Sequence, residues 1–306
     1  TSGCAGGRCF CGGSRALGWD GNRRTRLRAL GPVQTWTGLT PGKEYKLQVQ
    51  THEGLAKDTM AFRSLDWDRD RFDIEFALER GTTYNAYLIQ GEGVAPCLID
   101  TSHQKFAELF LGELKAVLDV AHLQYLVVSH TEPDHSGLVS TVLELAKAAG
   151  NEDLTVIGSK VCLAFLEALL NEGFKSKLVK NGDSLDLGGG HVLQFIAAPN
   201  LHWPDTMFTY DAGTQLLYTC DCFGMHYCSS ELFDTDTAQT LMPHYRLYYD
   251  CLMRPNAKSV NAALKRIKDL ELSIVATGHG PLLQQHREDF LVKYGTWSTD
   301  ALKKTA

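Results

Sequence analysis

The sequence predicts an α/β protein built in layers, with sheets inside and helices outside. Three observations carry this. Short β-like runs alternate with amphipathic helical segments along most of the chain. A hairpin signal, Asp211-Ala212-Gly213-Thr214, sits between two of the strands, so antiparallel pairs are mixed into the alternation. The chain has 306 residues, 44% hydrophobic and 22% charged, which supports a sizeable core and excludes global disorder.

Residues 1–32 differ from the rest. They hold Arg8, Arg15, Arg23, Arg24, Arg26 and Arg28, a single acid, Asp20, and no lysine. Such a segment reads as the remnant of an organelle transit peptide or as a disordered tail. Cys4, Cys9 and Cys11 lie within it at a spacing that matches no zinc motif. Residues 33–306 read as one folded domain. Strands are expected at Tyr45–Gln50, Phe72–Ala77, Asn85–Ile89 and Cys97–Ile99, then a helix at Gln104–Leu118. The strand Tyr125–Val128, a polar loop and a helix over Gly137–Ala149 follow, then a strand at Leu154–Ile157 and a helix at Val161–Asn171. Strands at Val192–Ala198, Thr206–Tyr210 and Leu216–Thr219 precede a helix at Ala257–Leu270 and a strand at Leu272–Ala276.

Charge and composition exclude several classes. Acids number 36 against 30 bases, a net charge of −6, which is opposite to the basic footprint of a nucleic-acid binder. The apolar runs are too short for a membrane span. Nine cysteines, an odd number in a chain that needs no disulfide staples, point to reduced thiols.

The chemistry concentrates after the strand Tyr125–Val128. There His130, Glu132, Asp134 and His135 fall in the pattern H-x-E-x-D-H, with Pro133 stiffening the loop and Ser136 or Asp134 available to cap the next helix. His202, Asp221 and His279 each lie just past another strand end, where a rigid sheet can aim loop residues at a common centre. Four histidines and three carboxylates exceed the needs of one ion. They suit two ions bridged by a carboxylate. Glu132 and His130 can face one ion, Asp134 and His135 are offset toward the other, and Asp221 is the natural bridge. Imidazole and carboxylate favour non-heme iron or manganese over zinc, and such a pair can deliver electrons to a bound small molecule. Cys220 and Cys222 flank Asp221; Cys222 could approach the site, but packing is the expected role of both.

The His130-Thr131-Glu132-Pro133-Asp134-His135 loop resembles that of the metallo-β-lactamase fold, whose hydrolases generally carry histidine where this chain has Glu132. With Leu201-His202-Trp203-Pro204-Asp205, Asp221-Cys222-Phe223-Gly224, Gly278-His279-Gly280 and Arg80–Ile89, the sequence is similar to the flavodiiron proteins from about Thr59 onward. The resemblance implies a metallo-β-lactamase-like αββα sandwich of two mixed sheets with outer helices. It implies one iron on His130, Glu132 and His202, a second on Asp134, His135 and His279, and a bridge at Asp221. It implies an oxidoreductase that reduces O2 to water, or NO to N2O, with electrons from FMN and NAD(P)H. The leader and Arg63-Ser64-Leu65-Asp66-Trp67 look most like the photosynthetic branch, and the complete ligand set like its B-type subunit. That places the protein in the chloroplast stroma, or alternatively the cytoplasm, in oxygen photoreduction.

Family members continue into a flavodoxin domain, and the photosynthetic branch into a flavin reductase domain. No Gly-rich phosphate turn of the dinucleotide type occurs here, so an isolated core lacking its own electron donor is expected. The family implies a head-to-tail homodimer or a heteromer with a paralogous subunit. Two rivals stand beside this reading: a zinc hydrolase of the same fold, and a non-catalytic partner subunit. Asp100 is a candidate for orienting a ligand histidine, and either Tyr248 or Tyr249 for placing a hydroxyl over the substrate pocket. His226 is expected at the pocket rim. His52, His103, His122, His191, His244 and His286 are expected to be surface or packing residues.

Overall fold

The computed structural model describes residues 25–30, 34–37, 44–72, 76–170 and 173–304. Cys4, Cys9, Cys11, most of the leader and Asn171 lie outside the described residues.

The first sheet contains β1 (Arg26–Leu30), β2 (Gln34–Thr37), β3 (Glu44–Ala56) and β4 (Thr59–Asp66). A separate small hairpin, β5 (Arg71–Phe72) and β6 (Phe76–Ala77), precedes β7 (Thr82–Ile89) and β8 (Cys97–Ile99). The sheet continues through β9 (Tyr125–Val127), β10 (Thr155–Gly158) and β11 (Ser176–Leu178). Its order is β1-β3-β4-β7-β8-β9-β10-β11, with β2 also on β3. From β8 onward the pairs are parallel; before it they are antiparallel. The second sheet orders β12 (Ser184–Gly188), β13 (His191–Ala197), β14 (Met207–Asp211), β15 (Leu216–Cys220) and β16 (Ile274–Thr277), with only β15 and β16 parallel. Both sheets are therefore mixed.

The strand period of two sorts side chains into layers. Along β7, Tyr84, Ala86 and Leu88 join the core beneath the first helical layer, while Tyr87 and Ile89 join the core between the sheets. Along β15, Leu216 and Tyr218 face that same central core, and Leu217 faces the second helical layer. The first layer is α1 (Ala107–Val117), α3 (Val139–Ala148) and α4 (Lys160–Leu170), which cover the first sheet through Phe110, Val142 and Leu166. Between α1 and α3 a single turn, α2 (Pro133–Ser136), carries part of the polar loop. The second layer is α5 (Ala238–Tyr248), α6 (Ala257–Ile267) and α7 (Arg287–Lys304), packed through Tyr245, Val260 and Tyr294. The result is the αββα sandwich that the sequence predicts.

Several local expectations need correction. Residues 26–30, read as leader, form β1 on the edge of β3, where Arg28 donates to the Ala116 carbonyl at 2.9 Å and pairs with Glu53. The expected strand Phe72–Ala77 is the β5–β6 hairpin. The expected helix over Gly137–Ala149 is α3, preceded in the polar loop by the separate turn α2, and neither Ser136 nor Asp134 caps it. The Ser136 hydroxyl instead donates to the carbonyls of Thr131 and Glu132. Thr101 takes over at the start of α3: its hydroxyl donates to the His135 carbonyl and accepts from the Leu138 N–H.

Candidate metal centre

The seven side chains singled out in the sequence converge at one edge of the sandwich. His130, Glu132, Asp134 and His135 follow β9 in the first sheet; His202, Asp221 and His279 follow β13, β15 and β16 in the second. Two backbone bonds pin these loops across the seam: Met207 donates to the Ser129 carbonyl at 2.9 Å, and Asn85 to the Gly278 carbonyl at 2.8 Å. Within the first half, Thr101 donates to the His135 carbonyl at 2.7 Å.

The donor atoms form two pockets that share Asp221. In one, His202 Nε2 lies 2.8 Å from Glu132 Oε2 and 3.1 Å from Asp221 Oδ2, and His130 Nε2 lies 3.2 and 3.3 Å from the same two oxygens. In the other, His135 Nε2 lies 2.9 Å from Asp221 Oδ1 and 3.2 Å from His279 Nε2. His279 Nε2 lies 3.3 Å from Asp134 Oδ2. One carboxylate oxygen of Asp221 thus faces each pocket.

The donor set fits a pair of cations. Among the described residues both Asp134 oxygens and Asp221 Oδ2 are buried without a hydrogen-bond partner, a state that is costly unless a cation completes it. Two imidazole Nε2 atoms at 3.2 Å cannot both carry a proton comfortably. Burial pulls the His202 imidazole down, but the Asp221 and Glu132 carboxylates beside it push it up to about 10. Burial likewise opposes charge on His135 and His279, and in each the adjacent Asp134 and Asp221 prevail and raise it. Burial would raise the Asp221 carboxyl, yet the His130 and His135 imidazoles hold it well below the carboxylate range.

Surrounding residues fix the candidate donors. His279 Nδ1 donates to the Thr83 carbonyl at 2.7 Å, which directs Nε2 into its pocket. Asp205 accepts from both the Thr131 N–H and hydroxyl, at 2.8 and 2.9 Å, and so braces the loop that carries four of the candidate donors. Gly278 leaves space for His135: a Cβ there would stand 2.7 Å from the imidazole Cε1. Asp100, a left-handed residue at φ 60°, accepts the Ser129 N–H at 2.7 Å; its carboxylate orients the loop backbone.

The two tyrosines separate. Tyr249 bonds Ser298 and packs against Tyr294 and Trp297, so it belongs to the core. Tyr248 packs edge-on against His226 at 4.8 Å and lies 6.0 Å from the His279 ring. Its buried hydroxyl has no hydrogen-bond partner among the described residues. His226 stacks on Phe72 at 4.2 Å and meets the Thr82 hydroxyl at 2.9 Å, beside the cluster and outside the donor set. Of the flanking cysteines, Cys222 is packed in the second core, and Cys220, not Cys222, has its sulfur beside His130, His135 and Asp221. Cys220 adopts φ 50°, so the strand alternation that points it away is broken at that residue. His191, read as a packing residue, is buried between Asp211 and Asp58. Sequence reasoning missed Asp205, Thr83 and Phe72. Asp205 sits in the same short run as His202, but no spacing rule ties it to Thr131.

Known proteins match this chain over most of its length. The family model "ODP family beta lactamase" matches residues 82–280. The diflavin flavoprotein A 1 of Synechocystis sp. (strain PCC 6803) is 54% identical over 268 residues, covering 87% of this chain and 45% of that protein. The chain thus spans about half the length of the curated relatives it matches. A metal-soaked Flv1 flavodiiron core from Synechocystis sp. PCC6803 superposes with TM-score 0.75 at 33% identity, covering 83% of this chain and 61% of that one. The rubredoxin oxygen:oxidoreductase of Desulfovibrio gigas superposes with TM-score 0.74 at 25% identity, covering 80% and 61%. With the family model spanning well over half its length and the fold matched, this chain belongs to the flavodiiron protein family.

Proposed function

We propose that this chain is the di-iron core of an oxidoreductase that reduces O2 to water, with electrons that reach it from reduced flavin. One observation supports this above the rest: seven imidazole and carboxylate donors converge around Asp221, with glutamate rather than imidazole at position 132. His130, Glu132 and His202 would hold one ion, Asp134, His135 and His279 the other, and Asp221 both. Iron bound there would supply reversible one-electron changes at two adjacent centres. The protein's own residues do the positioning. Three carboxylates offset the charge of two dications, the Thr83 carbonyl sets the His279 tautomer, and Asp205 holds the loop. Phe72, His226 and Tyr248 cover the His279 side and exclude water from it.

FMN and NAD(P)H would act through domains that relatives of twice this length have room for, in a head-to-tail homodimer or a heteromer with a paralogous subunit. The setting we propose is oxygen photoreduction in photosynthetic electron transport, in the chloroplast stroma. Among the described residues no helix is long and apolar enough to cross a membrane. The test is iron analysis with Mössbauer spectroscopy on the loaded chain, and oxygen uptake by the full-length protein. Two irons per chain and O2 consumption are expected. Two zinc ions with thioester or lactam hydrolysis would assign it to the hydrolases instead. Preferential NO turnover would reassign the substrate.

A further inference from the structure

A second feature lies against the cluster. Between the segment after β6 and the end of α5 is a cavity of about 90 Å³. Leu78, Pro243, Leu247 and Leu252 contribute its apolar walls, and His226 and Tyr248 line it as well. Both of those rings also pack toward His279, with centroids at 4.8 and 6.0 Å. Leu247 is 46% exposed and marks the mouth. The chain geometry explains why there is space. Pro243 lies inside α5, and α5 runs directly into a π-helical turn at Tyr249–Met253, which carries Cys251 and Leu252 into the wall. Such wider turns recur at functional sites.

The cavity's size and lining select its occupant. Sites for drug-sized ligands measure roughly 300–1,000 Å³, so a flavin ring does not fit. Among the described residues a charged ligand would find one acid, the exposed Glu79, and no basic group other than the imidazoles of His226 and His244, which also lines the cavity. Small apolar cavities take up apolar atoms and molecules such as xenon. We propose that this cavity is where a small uncharged gas molecule waits before reaching the metal-ligand cluster, with Leu247 at its mouth and the His226–Tyr248 pair as its inner gate. This rests on the oxygen-reducing reading above for the identity of the gas, but not for the binding itself.

The test separates the two. Crystals of the metal-free chain are pressurised with xenon. A xenon atom is expected in the cavity, and none in the Leu252→Trp variant, whose indole fills it. An empty cavity in the unaltered chain overturns the proposal. Should Leu252→Trp fail to fold, Leu247→Phe at the exposed mouth takes its place and is expected to lower the occupancy. In the iron-loaded full-length protein, Leu252→Trp is expected to raise KM for O2 by about fivefold or more while kcat stays within about twofold. An unchanged KM overturns the role as access route. Xenon binding in a protein that consumes no O2 would keep the cavity and sink the oxygen-reducing reading.

Discussion

The two pockets that meet at Asp221 are built alike and placed differently. The His130–Glu132–His202 pocket opens outward: the side chains of His202 and Glu132 are 18% and 11% exposed. The Asp134–His135–His279 pocket is closed, with its side chains 5%, 0% and 1% exposed. The same ligand chemistry therefore has two energetic settings. In the outer pocket an unpaired group can be rescued by water. In the inner one it cannot, and removing one partner leaves a buried charge uncompensated.

Asp221→Ala should have the largest effect, because it removes an oxygen from both pockets at once. Elemental analysis should find metal content falling from two ions toward none, with oxygen uptake lost by on the order of 100-fold or more. Retention of one full ion would break the picture of a shared carboxylate. The contrast itself is sharpened by His135→Ala against His202→Ala. Urea denaturation of the metal-free chain should show His135→Ala losing about 3 kcal/mol and His202→Ala about 1. Equal losses would show that the two pockets do not differ in solvation.

Gly278→Ala probes the inner pocket without touching a ligand. Its new methyl would crowd His135 and the Cys220 backbone, and overpacking of this kind costs about 1–3 kcal/mol. The inner ion should be lost first, visible as one iron per chain with the outer signal intact. Proton linkage gives a further check. Because the Asp221 and Glu132 carboxylates raise His202 to about 10, that metal-free imidazole holds a proton at neutral pH that a metal must displace. Affinity should fall as pH drops from 8 to 6, by about tenfold per unit for each proton released, and a pH-stat should record acid release on loading. The smallest effect is expected for Asp205→Asn, which keeps one acceptor for Thr131: about 1 kcal/mol in thermal unfolding, with both ions retained.

What the sequence made legible follows from locality. The loop from His130 to His135 holds four donors within six positions, so its density speaks for itself. His202, Asp221 and His279 could be picked out because each follows a recognisable strand. The strand β4 could not. Its residues are buried on both faces, and it carries Arg63, Ser64 and Asp66 in the interior, so no alternation marks it. Arg63 survives there by donating to the Glu231 carbonyl at 2.7 Å, a partner far along the chain. The helices α5 and α7 escaped for a related reason: one contains Pro243, and the other is largely polar. The bracing contacts of Asp205 and Thr83 run between loops of different sheets, and no periodicity in the chain encodes them.

The ligand loops hang from opposite halves of the sandwich, four donors from one sheet and three from the other. Any ions gripped by both halves therefore tie the layers together, and their binding energy adds to the work needed to pull the halves apart. Iron supply would then govern lifespan as well as turnover. In a cell short of the metal, freshly made chains would stay ajar at this seam longer, and proteases would find them first.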